Sequence, residues 1–208
     1  MKRSKKEHAS NRTKRLLDLI LSIFGILLIS PIWLAVVILI RIESPGKVLF
    51  RQERVGLHEK PFTIYKFRTM IEGAQNTGTG LFSFEGDPRI TRIGTKLRQL
   101  SLDETPQLIN VLRGNMSIVG PRPPVIGELE MESELAPNYR SRFKVLPGIT
   151  GLAQVSGRNG LNWGDKIKYD LTYIENFAKS GASLDLKIIL KTILIVIGRK
   201  NVIEKENR

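Results

Sequence analysis

Residues 16–40 form an almost unbroken apolar run, and no charged side chain occurs from residue 19 to residue 40. As a straight helix those 22 residues would reach about 33 Å, enough to cross a hydrocarbon core of about 30 Å. Two features argue against a simple crossing. Lys2, Arg3, Lys5, Lys6, Arg12, Lys14 and Arg15 precede the run, and Arg41, Lys47, Arg51 and Arg54 follow it, so basic residues mark both ends as cytoplasmic. Ser30-Pro31 also lies near its middle. Proline lacks a backbone donor and clashes with the carbonyl four residues back, while the Ser30 hydroxyl can satisfy the carbonyl so freed. The pattern therefore predicts a basic arm over 1–15 and a re-entrant membrane helix over 16–43, broken at Ser30 and Pro31. A straight span and a cleaved signal peptide are the alternatives. The apolar core is over-long for a signal peptide and lacks a small-x-small cleavage site.

Beyond the turn signal Ser44-Pro45-Gly46, segments 47–55 and 62–70 read as a β-hairpin around 56–61. Segment 72–86 has weak periodicity and four glycines, which predicts a mobile surface loop of the kind that closes over substrates. Ile93, Leu97 and Leu100 share one helical face, and a second helix runs to Leu112, stopped by Gly114. A polar, acidic helix is expected over 126–143, broken or joined at Pro137, with loops at 147–151 and 156–160. Ile167, Leu171, Ile174 and Ala178 give an amphipathic helix. The last helix, over 184–197 with Ser183 as its cap, is apolar except for Lys187 and Lys191 and suits a membrane interface. Residues 199–208 are a charged tail. The expected class is α+β: one mostly helical domain over 44–198 with a short β-hairpin, a re-entrant membrane helix and interfacial amphipathic helices.

Charge narrows the partners. A net charge of +13 and a pI near 10.2 call for polyanions: nucleic acid, anionic headgroups or phosphorylated substrates. The membrane segment favours lipid and phosphate. Zero cysteines exclude disulfides and thiolate metal sites, and only His8 and His58 are present. A zinc site or a His-based triad is thus disfavoured, and chemistry must rest on carboxylates, Arg and Lys.

The sharpest local feature is Ser101-Leu102-Asp103-Glu104-Thr105-Pro106. Its ordinary reading is a helix start: Ser101 with Glu104 as a capping box, or Thr105-Pro106 as a cap pair, with acids favoured by the helix dipole. Its chemical reading is one carboxylate as nucleophile or base and its neighbour helping to hold Mg²⁺. Lys66 and Arg68 would share one strand face, and Arg122 and Arg158 sit in Gly/Pro loops where backbone can approach an anion. The ordinary reading of each is a solvated basic residue. Asp185 falls in the first turn of the last helix, where an acid is stabilised by default. Asp170 and Trp163 read as packing or ion-pair residues.

Segments 62–70, 87–94 and 100–114, Ser117-Ile118-Val119-Gly120-Pro121-Arg122-Pro123, and 147–151 with Gly157-Arg158-Asn159 together resemble the bacterial sugar transferases, the monotopic polyprenyl-phosphate phosphoglycosyl transferases. The resemblance runs in order from about Lys14 to Gly198. It implies transfer of a sugar-1-phosphate from a nucleotide diphosphate sugar, usually a UDP-sugar, to undecaprenyl phosphate with Mg²⁺. It also implies a re-entrant helix broken at a Ser-Pro pair. Asp103 matches the nucleophile that expels UMP and forms an aspartyl phosphosugar; Glu104 matches its partner, with a role at the metal or the acceptor. Lys66, Arg68, Arg122 and Arg158 match phosphate or nucleotide contacts, and Asp185 a further active-site acid. The implied setting is the cytoplasmic face of a bacterial inner membrane, without nucleic acid and compatible with a homo-oligomer. Larger relatives carry additional N-terminal segments, so a minimal catalytic form is expected. Many relatives have an aromatic where this chain has Leu152. The competing reading is a non-enzymatic, membrane-anchored basic protein that holds anionic lipid or nucleic acid.

Overall fold

The computed structural model describes the backbone of residues 2–78, 80, 84, 86–131, 135–157 and 160–198, and side chains from Arg12 onward. Helix α1, Lys2–Glu43, takes in the basic segment and the apolar run as one helical element. The 1–15 arm expected to be separate is thus helical from Lys2. Pro31 sits inside α1, and the Ser30 hydroxyl donates to Leu27 O at 3.0 Å. Leu27 O is the acceptor that the missing Pro31 donor would have used, so the serine compensates as expected, and with that compensation the helix continues through Pro31 in place of the break that the pattern predicts there.

One stripe of α1 faces the rest of the chain from Lys14 to Ile40. Lys14, Asp18, Ser22, Gly25, Trp33, Val36 and Ile40 recur on one side and contact or are buried against it. Spacings of three, four and eight residues keep these positions aligned. The opposite side is apolar and exposed, with Leu16, Ile20, Phe24, Leu27, Leu34 and Ile42 each at least 52% accessible.

Strands β1, Leu49–Val55, and β2, Pro61–Phe67, form the expected antiparallel hairpin, with Leu49 opposite Phe67 and Val55 opposite Pro61. Ile64 and Phe67 are buried. Phe67 joins Val36, Ile40 and Leu97 in a cluster that packs α1 against the hairpin and α2, Arg92–Gln99. A short α3, Gln107–Leu112, packs Val111 against Ile64 and Met116.

Three expectations give way. The 126–143 segment holds 3-10 turns at Leu129–Met131 and Tyr139–Lys144 on either side of Pro137, with no α-helix among its described residues. Gly127 at φ 80° starts in the left-handed region and Glu128 caps the Val125 N–H through Oε2 at 2.7 Å, so the chain turns instead of propagating. The 147–151 loop contains β4, Gly148–Thr150, which pairs in parallel with β3, Ser117–Val119. A Cβ on Gly148 would lie 2.1 Å from Gly120 N, so only glycine admits this backbone approach. Ser183 is inside α6, Ala182–Ile197, which starts after Gly181; its hydroxyl donates to Ser180 O. It caps nothing because the turn at Gly181 already brings the chain into the helix.

Helices α4, Leu152–Ser156, and α5, Trp163–Ser180, complete the domain. Tyr173 of α5, Ile188 of α6, Val119 and Val155 form its second cluster. Leu186, Leu190, Leu194 and Ile197 remain exposed on α6, beside exposed Lys187 and Lys191. In the expected mobile loop, buried Arg89 donates to Ala74 O, Thr77 O and Gly80 O while pairing with Asp87, so the described part is wound around one guanidinium.

Candidate active site

Asp103 and Glu104 lie on a single 3-10 turn, Leu102–Glu104, that joins α2 to α3. Ser101 precedes it in the left-handed region at φ 54° and makes no cap, so the capping-box reading does not hold. Glu104 instead points back to the hairpin. Lys66 Nζ reaches Glu104 Oε1 at 2.6 Å, and Arg122 Nη2 reaches the same oxygen at 3.3 Å. These side chains line a cleft of ≈ 1390 Å³, which also takes in Arg54, Arg98 and Gln154.

Electrostatics splits the two neighbouring carboxyls. Burial would raise Glu104, but the charges of Lys66 and Arg122 and their hydrogen bonds outweigh it and hold the carboxylate well below its usual range. Asp103 is pushed up to about 6, first by burial and then by the Glu104 charge; Lys66, Arg98 and Arg122 oppose this through space. Burial lowers Lys66, with Glu104 acting against it, and the nearby Glu104 charge raises Arg122. One acid is therefore fixed as an anion in a cation clamp, and its neighbour is left basic for a carboxylate, near neutrality.

Not every expected residue joins this group. Strand β2 ends at Phe67, and Arg68 turns to Ser44 O and Pro45 O at 2.7 and 2.5 Å beneath the end of α1. It borders the cleft but is 8% exposed and does not share a partner with Lys66. Asp185 lies elsewhere: Lys14 of α1 grips its Oδ2 at 2.6 Å and the Tyr173 hydroxyl donates to Oδ1 at 2.8 Å. Burial raises both Asp185 and Tyr173, the tyrosine also through the Asp185 charge. Arg158 falls outside the described residues. Asp170 is buried against Arg142 at 2.8 Å, and Trp163 stacks beneath that guanidinium, as the packing reading expects.

Arg54 was missed. Its Nη1 donates to Pro123 O at 2.9 Å, beside Arg122, and burial followed by the Arg122 charge lowers it to about 10. Strand alternation could have found it, since hairpin register puts Arg54, Gln52 and Phe50 on the face of Ile64 and Lys66. Arg98, five residues ahead of Asp103 near the end of α2, was missed because its helix reads as merely amphipathic.

The family model "Bacterial sugar transferase" matches residues 9–199. The chain belongs to the bacterial sugar transferase family. This transferase is 42% identical over 184 residues to the uncharacterized sugar transferase EpsL of Bacillus subtilis, covering 88% of this chain and 87% of that one. It is 40% identical over 185 residues to the UDP-glucose:undecaprenyl-phosphate glucose-1-phosphate transferase of Escherichia coli, covering 86% of this chain but 39% of the relative. The exopolysaccharide production protein ExoY of Rhizobium meliloti is 38% identical over 195 residues, with 86% and 83% covered. The transferase thus spans most of EpsL and ExoY and about two fifths of the E. coli protein.

Proposed function

We propose that this transferase moves a sugar-1-phosphate from a UDP-sugar to undecaprenyl phosphate, with Asp103 as the nucleophile. The carrying observation is the split dyad: Glu104 held as an anion between Lys66 and Arg122, and Asp103 beside it raised to about 6 on the wall of a large cleft. The named activity of the E. coli relative supports the substrate pair.

In the first step an Asp103 carboxylate oxygen attacks the β-phosphorus of the sugar nucleotide. The bond from that phosphorus to the bridging oxygen breaks, UMP leaves with the oxygen, and an aspartyl phosphosugar remains. An oxygen of undecaprenyl phosphate then attacks the same phosphorus, which restores the Asp103 carboxylate and yields the lipid diphosphate sugar. Lys66, Arg122 and Arg54 stand where they can offset the diphosphate charge as it shifts to the leaving group. Glu104 keeps Lys66 and Arg122 oriented between turnovers.

No cluster of three or more His, Asp or Glu able to hold a metal exists among the described residues. Mg²⁺ is commonly bound by one or two carboxylates together with substrate phosphates, and adjacent Asp103 and Glu104 fit that mode. Bound there, Mg²⁺ would supply charge neutralisation at the diphosphate.

Membrane placement belongs to the same reading. From Lys14 to Ile40 a straight α1 would measure about 39 Å, longer than a hydrocarbon core of about 30 Å. Contacts with the domain occur at both ends, at Lys14–Asp185 and at Val36 and Ile40 against Phe67 and Leu97. A helix crossing the bilayer could not keep an aqueous domain against both ends. These contacts, the exposed apolar sides of α1 and α6 and the doubly basic flanks support a re-entrant, monotopic helix in the cytoplasmic leaflet. Ser10→Cys and Lys60→Cys should therefore both label from the cytoplasmic side only.

The function is tested by UMP release from a panel of UDP-sugars with Mg²⁺ and polyprenyl phosphate. One UDP-sugar that gives UMP and a glycolipid supports it. No UMP from any of them, with folded protein in lipid, contradicts it.

A further inference from the structure

The turn that carries Asp103 and Glu104 closes on itself through the Thr105 N–H to Leu102 O hydrogen bond at 3.2 Å. It is a single 3-10 turn of three residues, entered through Ser101 at φ 54°, a conformation that L residues adopt at a cost. Contacts from outside add to that hydrogen bond: Lys66 and Arg122 hold Glu104, and α1 contributes a further one. Trp33 Nε1 donates to Thr105 Oγ1 at 2.9 Å, across 72 positions of sequence. The Thr105 hydroxyl in turn donates to Leu102 O at 2.7 Å, the carbonyl that also accepts the Thr105 backbone N–H at 3.2 Å. An indole N–H can only donate and a hydroxyl has one proton, so the direction of this relay is fixed.

Trp33 also touches the other half of the site. Its ring meets Phe67 edge to face, with centroids 5.9 Å apart and planes at 84°. Phe67 directly follows Lys66, which clamps Glu104. A single side chain thus contacts both the acid-bearing turn and the strand that supplies its cation, and it stands two residues beyond Pro31.

We propose that Trp33 is a positioning residue of the transfer reaction: through Thr105 it holds the Asp103–Glu104 turn to the membrane helix, so that the helix and the nucleophile form one rigid unit. The proposal rests on the reading of Asp103 as nucleophile. It gives a soluble-looking active site a direct mechanical tie to the bilayer-facing helix.

Full-length protein in lipid nanodiscs, carrying Trp33→Phe, Thr105→Val, both, or Thr105→Ser, tests it. Trp33→Phe keeps an aromatic edge for Phe67 but loses the donor; Thr105→Val keeps the shape but loses the relay. Each is expected to lower kcat about 3–10-fold with KM for the UDP-sugar within about twofold, the scale of one lost hydrogen bond at an aligned nucleophile. Thr105→Ser should stay near wild type. In the Thr105→Val background, Trp33→Phe should cost nothing more, because the two act through one contact. Hydrogen exchange at the Leu102–Thr105 amides should rise in both single variants and not in Thr105→Ser. Wild-type kcat and exchange in Trp33→Phe and Thr105→Val, or losses that multiply in the double variant, would overturn the proposal. If the wild type releases no UMP from any UDP-sugar, the functional reading fails, and the exchange comparison still decides whether Trp33 holds the turn.

Discussion

Two lysine–carboxylate pairs in this protein have the same length, 2.6 Å, and opposite surroundings. Lys66–Glu104 opens onto the cleft, shares its acceptor oxygen with Arg122 and has a second carboxyl as its sequence neighbour. Lys14–Asp185 is closed: Tyr173 takes the other carboxylate oxygen, and Lys14 also donates to Val119 O at 3.0 Å. Beside the first pair stands Asp103, which burial and then the fixed Glu104 charge make harder to ionise. The second leaves nothing over and fastens α1 to α6. The contrast is one of setting: Asp185 is enclosed by Lys14 and Tyr173, whereas Asp103 stands on the wall of the cleft, where the proposed chemistry needs it.

The largest expected effect is that of Asp103→Asn, which removes the nucleophilic oxygen and should lower turnover by at least about 10³-fold while the protein stays folded. Turnover like wild type would erase the contrast between the two centres. Lys14→Met attacks the closed pair. It strands a buried carboxylate and should cost about 2–4 kcal/mol of stability, read as a fall in Tm, while the folded fraction keeps turnover within about tenfold. Lys14→Met with Asp185→Asn should recover most of that loss; a collapse of kcat in the folded fraction would instead draw Asp185 into the reaction.

Glu104→Gln should come next, slowing both half-reactions roughly 10–100-fold without abolishing nucleotide binding, since Lys66 and Arg122 remain but lose the anion that orders them. The smallest effect is a pH dependence in metal-free protein. The folded-state value of Asp103, about 6, lies above the ordinary 3.8, so its contribution to stability is present below about pH 4 and lost as pH rises through 6. Asp103→Asn should accordingly gain about 1–2 kcal/mol over wild type between pH 4 and 7.5 by chemical denaturation, after allowing for solvent screening of a partly accessible group. A difference that does not change with pH would mean that Asp103 is not raised. Glu104 has the opposite sign: held low, it adds stability that is fully present above the ordinary carboxylate range and is lost progressively as pH falls below that range.

What sequence alone revealed follows which signals are local. The apolar run, the Ser30–Pro31 compensation and the hairpin depend on neighbours within a few residues, and the structure has them. Strand β4 was hidden because its pairing with β3 depends on Gly120 and Gly148 meeting across 28 positions, and glycine at a close approach reads in sequence as a loop. Segment 126–143 reads as helical from its polar, acidic composition, but Gly127 in the left-handed region turns the chain at its start, and 3-10 turns flank the expected break at Pro137. At the site, the Asp103–Glu104 turn and Lys66 were legible as residue types. The partners were not: Arg68 was paired with Lys66 by an alternation that stops at Phe67, and the Trp33–Thr105 and Lys14–Asp185 contacts join segments 72 and 171 residues apart.

Intact-protein mass spectrometry tests the central claim most directly. Protein mixed with its UDP-sugar and Mg²⁺, without any polyprenyl phosphate, should release up to one UMP per molecule and gain the mass of one sugar phosphate on the peptide that contains Asp103. An unchanged mass together with no UMP until the lipid acceptor is added would contradict the account and leave Asp103 as a base or metal ligand in a direct displacement.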